Sequence, residues 1–217
     1  MLELLYRPLL FVHVACGTAA LLASILAFSA SKWSTLHRYA GIVFYWTMLI
    51  TAVSSVMPAI TSGKWVLLLL AVFSFHLTYT GRRYLKFRQG GIPNRIDYLA
   101  SGAIILFGLL IWGMGIPVFY KNMGAMGAIA PLAFGLICIA MAREDFKWYG
   151  KREGGSNLAL RRHIGRMGGA SISAFTAFFV NVNFVVPGAL AWILPTVIGS
   201  FLIAYYMRKL RTKQAIR

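Results

Sequence analysis

The sequence predicts an all-α polytopic membrane bundle of about seven spans, with the amino terminus outside and the carboxyl terminus in the cytoplasm. Hydrophobic residues make up 59% of the 217 residues and charged residues only 12%, which is too apolar for a water-soluble surface. Apolar runs of roughly 18 to 24 residues recur along the chain, and each can cross about 30 Å of hydrocarbon as a helix. Lys and Arg concentrate in alternate connections between these runs, as they do in multi-span membrane proteins.

Seven apolar segments are the predicted spans of a single integral membrane domain, 1–217. They cover residues 8–30, 39–60, 64–81, 97–117, 122–142, 164–180 and 188–207. Because backbone polar groups in lipid need partners within their own segment, each run is expected to be a helix. The longest polar connection, 143–162, is predicted to be a cytoplasmic loop, and 208–217 a basic cytoplasmic tail.

The distribution of basic residues predicts the orientation. The connections 31–38, 82–95 and 143–166 and the tail 208–217 hold two, five, seven and five of the 22 Lys and Arg residues. The opposite side has only Arg7, Lys64 and Lys121, so the rich side is predicted to be cytoplasmic. This topology accounts for the net charge of +17. It predicts the lipid bilayer and anionic headgroups at the cytoplasmic face as partners, and no nucleic acid.

All four histidines lie within or at the edge of predicted spans, where ionisable groups are costly and often functional. His37 begins the second span and His163 the sixth, while His76 lies six residues before Arg82, or about 9 Å deep at the helical rise. These three therefore gather towards the cytoplasmic side. His13 lies near the outer end of the first span, with no histidine at its own depth, and its role is left open.

Glycines stand beside three of the histidines. His13 with Gly17 and His37 with Gly41 share a His-x-x-x-Gly spacing, which puts the glycine one turn away on the same helix face. Three glycines follow His163, at positions 165, 168 and 169. Two interpretations stay open: the small residues admit a flat prosthetic group beside its axial ligand, or they let neighbouring helices approach closely.

Arginines flank the same histidines. Arg38 adjoins His37, and Arg162 and Arg166 bracket His163. A haem held between the two histidines would find these guanidinium groups near its propionates at the membrane edge. The same arginines are also what the positive-inside rule predicts.

Asp97 is the one acidic residue at the start of a predicted span. It follows Arg95 and Ile96. Its carboxylate can cap the helix, pair with an arginine or hold a histidine in one tautomer, and these alternatives stay open.

Two segments resemble a family of bacterial multi-pass membrane proteins classed as a domain of unknown function. They are Leu36–Trp46, LHRYAGIVFYW, and His163–Phe178, HIGRMGGASISAFTAF, with Asn181 and Asn183 beyond the second. The likeness covers most of the chain and implies a multi-pass protein of the bacterial inner (plasma) membrane. It favours six positions for testing: His37, Arg38, His163, Arg166, Asn181 and Asn183.

In outline the chain is also similar to b-type membrane cytochromes, whose histidine pairs hold haem between helices. That similarity implies one haem b near the cytoplasmic face, with His37 and His163 as axial ligands and Arg38, Arg162 and Arg166 near the propionates. The implied role is electron transfer or an oxidoreductase activity with a redox partner or quinone. Whether the protein is an enzyme stays open.

Two alternatives remain. The alkaline ceramidase and adiponectin-receptor superfamily also has seven spans, and it holds zinc with three histidines and a nearby aspartate. That comparison implies a zinc-dependent lipid hydrolase whose metal set is His37, His76, His163 and Asp97, although the Ser-x-x-x-His and His-x-x-x-His helices of that superfamily are absent here. The other alternative is a non-enzymatic carrier or assembly factor whose histidines serve helix packing or proton relay.

Overall fold

The computed structural model describes residues 2–63, 65–121, 126–151, 155–182, 188 and 190–215. In those ranges it contains seven α-helices and no strand, which confirms the predicted all-α class. The helices are α1 (Leu2–Ser29), α2 (Thr35–Thr61), α3 (Trp65–Arg88), α4 (Arg95–Lys121), α5 (Met126–Lys151), α6 (Gly155–Asn181) and α7 (Leu190–Ala215).

Four helices in the described part of the chain are long and apolar enough to cross a membrane. They contain the segments Tyr6–Ser29, Thr35–Thr61, Arg95–Gly113 and Leu190–Thr212. This confirms the prediction of a membrane protein with transmembrane helices. Helices α3 and α6 are more polar, and several of their hydroxyl side chains are buried: Ser74, Thr78, Thr80, Ser171, Ser173 and Thr176.

Helices extend beyond the apolar segments into predicted connections. Much of the predicted loop 143–162 is helical, because α5 continues to Lys151 and α6 begins at Gly155, with 152–154 outside the described residues. The predicted tail 208–217 is likewise helical as far as Ala215. Hydropathy marks where an apolar surface ends, whereas a helix continues for as long as its backbone bonds are satisfied. The predicted span starts at Lys64 and Asn122 lie outside the described residues.

The chain divides into two compact units. The first comprises Met1–Lys86 and Leu158–Arg217, and the second comprises Phe87–Asn157. All four histidines therefore belong to the first unit. Asp97 belongs to the second unit.

Helices α6 and α7 pack through reciprocal glycine–isoleucine contacts. A Cβ at Gly168 would lie 2.5 Å from Cγ1 of Ile203, and a Cβ at Gly199 would lie 2.3 Å from Cγ1 of Ile172. From the first pair to the second, the residue number rises by four on α6 and falls by four on α7. The two pairs therefore belong to one antiparallel register. Each isoleucine thus fills the space that the facing glycine leaves, which lets the two backbones approach closely.

Candidate histidine site

His37 is held at the amino-terminal end of α2. Ser34 caps this helix, and its hydroxyl accepts a hydrogen bond from the backbone N–H of His37 at 3.1 Å. The imidazole Nδ1 lies 2.9 Å from the carbonyl oxygen of Ala27 on α1. Because a carbonyl can only accept, Nδ1 of the neutral ring carries the proton and Nε2 keeps its lone pair.

His163 has the same arrangement on α6. Its Nδ1 lies 2.9 Å from the carbonyl oxygen of Gly81 on α3, so the ring joins two helices and leaves Nε2 with its lone pair. Close packing surrounds this bond, because a Cβ at Gly81 would lie 2.8 Å from Sδ of Met167. A histidine whose Nδ1–H is held by a backbone carbonyl is oriented as metal-binding histidines usually are.

The fold brings His37 and His163 into electrostatic range of each other. Burial lowers the pKa of His163, and a positive charge on His37 lowers it further, so the two side chains lie in the same region of the fold although 126 positions separate them in the chain. The two rings belong to different helices, α2 and α6, of the same compact unit. Their assignment as a pair of haem ligands stays a prediction.

His13 forms the counterpart of the His37 contact at the other end of the α1–α2 hairpin. Its Nδ1 lies 3.0 Å from the carbonyl oxygen of Thr51. The register is the same as for His37 and Ala27, and the two contacts lie 14 residues apart on each helix, or about 21 Å at the helical rise. The repeated His-x-x-x-Gly spacing thus reflects a local two-fold relation between α1 and α2.

The glycines beside the histidines have different surroundings. Side chains from neighbouring helices contact a Cβ built at each of the three α6 glycines: Met207 at Gly165, Ile203 at Gly168 and Leu77 at Gly169. A Cβ at Gly17 would likewise contact Thr51, whereas one at Gly41 meets nothing within 4 Å. The close-approach interpretation therefore accounts for the α6 glycines, whereas Gly41, one turn from His37, has open space beside it.

The three arginines that are predicted to lie near the haem propionates differ in exposure. Arg38 is exposed, and Arg166 is buried with 4% of its surface accessible. Arg162 Nη1 donates to the hydroxyl of Tyr84 at 2.7 Å, and its guanidinium carbon lies 5.3 Å from the centre of that ring. Arg162 therefore joins α6 to α3 in the same region as the His163–Gly81 bond.

The two other residues of the predicted zinc set, His76 and Asp97, are both buried. His76 is buried on α3 at 3% exposure. Asp97 is fully buried and forms a capping box with Asn94: its carboxylate accepts from the Asn94 N–H at 2.8 Å, and the Asn94 side chain accepts from the Asp97 N–H at 3.0 Å. Of the three roles considered for Asp97, the structure thus displays the helix cap. In the described ranges, no three His, Cys, Asp or Glu side chains form a metal-binding group.

A buried polar cluster in the second unit was not predicted. Ser101 Oγ lies 3.0 Å from the hydroxyl of Tyr149 and 3.4 Å from the carboxylate of Asp145. The Tyr149 hydroxyl in turn donates to the backbone carbonyl of Asp97 at 3.4 Å. A sequence signal exists for this cluster, since Asp97 with Ser101 and Asp145 with Tyr149 are both polar pairs one helical turn apart.

Asn181 lies at the end of α6, where its amide donates to the carbonyl oxygen of Ala177 at 2.8 Å. This bond satisfies one of the carbonyls left at a helix end. Asn183 lies outside the described residues.

No family model, curated protein or solved structure matches this chain. The resemblance to a bacterial multi-pass family therefore stays a prediction.

Proposed function

We propose that this chain is an inner-membrane protein that binds one b-type haem between His37 and His163 and serves electron transfer or an oxidoreductase reaction. One observation carries the proposal. Two imidazoles from different helices lie within electrostatic range, and a backbone carbonyl engages Nδ1 of each. Both Nε2 atoms are thereby left as ligand atoms, and two such nitrogens supply the axial ligands of a b-type haem.

The neighbouring residues fit this donor pair in two respects. Open space lies beside Gly41, one turn from His37. The exposed Arg38 is adjacent and would face the propionates, with Arg162 and Arg166 following from α6. Haem would supply a one-electron couple, and the protein would set its potential through the two ligands and their carbonyl partners. A redox protein or a quinone is the partner that this chemistry requires.

The test is an absorbance spectrum of protein purified in detergent from a haem-replete host, before and after dithionite. We expect a Soret band and a sharp α-band on reduction. We also expect that His37→Ala and His163→Ala each abolish both bands. Absence of the bands from the wild-type protein would remove the haem proposal. Elemental analysis of the same sample is the check for the alternative zinc hydrolase.

His13→Ala is the matched control. His13 has the same Nδ1–carbonyl contact and the same His-x-x-x-Gly spacing as His37, but it lies about 21 Å away along the hairpin. We expect this variant to lose a comparable interhelical hydrogen bond and to keep its haem. Equal loss of haem from His13→Ala and His37→Ala would mean that the bands report the stability of the hairpin, and it would contradict the assignment of ligands.

We further propose that all seven helices cross the membrane, with the amino terminus outside and the carboxyl terminus in the cytoplasm. Four helices meet the criterion of length and apolarity. For α3 and α6 the proposal is supported by burial, because hydroxyl side chains that lower their hydropathy are turned away from the surface. The test compares reporter fusions that are active only in the periplasm or only in the cytoplasm. A carboxyl-terminal fusion active in the periplasm would overturn the orientation.

A non-enzymatic carrier or assembly factor is the second candidate, and the α6 glycines favour it. Their space is filled by Met207, Ile203 and Leu77, so this helix is built for close packing. In that case the histidine bonds to Ala27 and Gly81 serve only to join helices. The purified protein would then show neither haem nor metal, and His163→Ala would lower the melting temperature without any spectral change.

A further inference from the structure

The carboxyl-terminal end of α1 is held by side chains from three parts of the chain. Lys32 Nζ donates to the carbonyl oxygens of Ala27 and Phe28, at 2.8 Å each. His37 Nδ1 donates to the same Ala27 oxygen, and the Tyr206 hydroxyl donates to the Phe28 oxygen at 2.8 Å. Both carbonyls therefore accept two hydrogen bonds, and the Lys32 ammonium is held in one place.

A second cation stands near this ammonium. Lys32 Nζ lies 4.1 Å from the centre of the Tyr206 ring, and Lys209 Nζ lies 5.7 Å from the centre of the Tyr205 ring. The centres of these two rings are 5.2 Å apart. Burial lowers the pKa of Lys32, and the positive charge of Lys209 lowers this pKa further. Within the described part of the chain, the contacts of these two ammonium groups include carbonyls and rings but no carboxylate. The fold thus holds two repelling cations together without an internal counter-charge.

The N–H donors of the Lys32 and Lys209 ammonium groups suit an oxygen anion. An ammonium group has three N–H donors, and carbonyls take two of those on Lys32. Capping of the α1 carbonyls accounts for the position of Lys32 and the positive-inside distribution accounts for a cation at Lys209, but neither supplies a counter-charge for the two ammonium groups. An anion that contacts both groups would accept charge-assisted hydrogen bonds and reduce their repulsion.

The surrounding aromatic residues point to the level of the lipid headgroups. Trp33 is 69% exposed and Tyr205 is 55% exposed, although both are large amphipathic side chains of the kind that lies at membrane interfaces. Trp33 follows Lys32 in the connection after α1, and Tyr205 precedes Tyr206 on α7. We propose that the phosphate of an anionic lipid headgroup binds between Lys32 and Lys209.

The test measures the binding of phosphatidylglycerol to the full chain in nanodiscs, by native mass spectrometry and by thermal unfolding. The discs contain phosphatidylcholine alone or phosphatidylcholine with a minority of phosphatidylglycerol. We expect retained phosphatidylglycerol and a higher melting temperature in the mixed discs. Lys209→Gln should weaken the apparent affinity for phosphatidylglycerol about tenfold, as expected for the loss of one charge-assisted hydrogen bond.

Two variants complete the design. Lys147→Gln removes one exposed lysine from α5 in the other compact unit and should retain phosphatidylglycerol like the wild-type protein. Lys32→Gln should weaken retention at least as much as Lys209→Gln. If Lys32→Gln does not fold, Lys209→Gln alone decides the result. The Lys209 side chain is exposed and caps no helix, so its replacement should leave the fold intact.

Equal loss of retention in Lys147→Gln and Lys209→Gln would overturn the proposal, because binding would then follow total charge. A further measurement adds inorganic phosphate to the protein in discs of phosphatidylcholine alone. Stabilisation by inorganic phosphate, with none by phosphatidylglycerol, would assign the site to a soluble phosphate and overturn the lipid assignment. The measurements require no haem, so their outcome is separate from that of the haem proposal.

Discussion

Replacing Gly199 with alanine tests whether the small residues of α6 and α7 serve helix packing. The added Cβ would lie 2.3 Å from Cγ1 and 2.7 Å from Cδ1 of Ile172, whereas ordinary contacts are 3.4–4 Å. Isoleucine is β-branched and restricted at χ1, so Cγ1 cannot move away without a less favourable rotamer or a separation of the two helices. The reciprocal pair of Gly168 and Ile203 resists such a separation from the same register.

The expected change in the free energy of unfolding for Gly199→Ala combines two opposing effects. Overpacking of a well-packed contact costs about 1–3 kcal/mol, while alanine in place of glycine within a helix contributes about 1 kcal/mol of stability. Gly102→Ala on α4 should show only the gain in helix stability from alanine, because nothing lies within 4 Å of its added Cβ. We therefore expect Gly199→Ala to be less stable than Gly102→Ala by about 2 kcal/mol. For a chain of this size, that difference corresponds to about 4–8 °C in melting temperature.

The assay is thermal unfolding in detergent, followed by tryptophan fluorescence, for the wild-type protein and the two alanine variants. An Ile172→Ala background provides a double-mutant cycle, in which Gly199→Ala should lose most of its cost because the contacting atoms are gone. Equal melting temperatures for Gly199→Ala and Gly102→Ala would refute the packing argument. So would a cost for Gly199→Ala that Ile172→Ala leaves unchanged.

Two further predictions concern polar contacts between and within helices. Asn94→Ala should lower stability by about 1 kcal/mol by removing the cap that accepts from the Asp97 N–H, and Asn94→Asp should restore most of it in the same unfolding assay. Tyr84→Phe should cost about 1.5–3 kcal/mol, because the buried hydroxyl accepts a charged hydrogen bond from Arg162. Tyr39→Phe on the exposed face of α2 is its control and should leave the melting temperature unchanged.

Local patterns in the sequence were sufficient to predict the helices and several of their ends. Each apolar run predicts a helix because backbone groups in lipid must be satisfied within their own segment. The Asn94 and Asp97 spacing also contains the capping box that begins α4. The helices also continue through polar residues, as α5 does to Lys151 and α6 does from Gly155, because the polarity of a residue determines which surroundings it prefers rather than whether it is helical.

Contacts between distant segments needed the tertiary structure. Sequence alone predicted that His37 and His163 share a depth, but only the folded unit brings their rings into electrostatic range. The bond from Tyr206 to Phe28 joins positions 178 residues apart, and no pattern in the sequence indicated it. The two interpretations of the glycines were equally compatible with the sequence until neighbouring side chains were seen at Gly168.

Local properties can be read from the amino-acid sequence: helical class, membrane character and the identity of the histidines, arginines and glycines that a site can use. These follow from composition and from spacings of one turn, which a single helix expresses without help from others. The pairing of helices is visible only in the folded chain. It determines whether a glycine has open space beside it, as Gly41 does, or receives a neighbouring side chain, as Gly199 receives that of Ile172. The physical reason is that packing depends on the register between helices, and that register is a property of the pair of surfaces rather than of either segment alone.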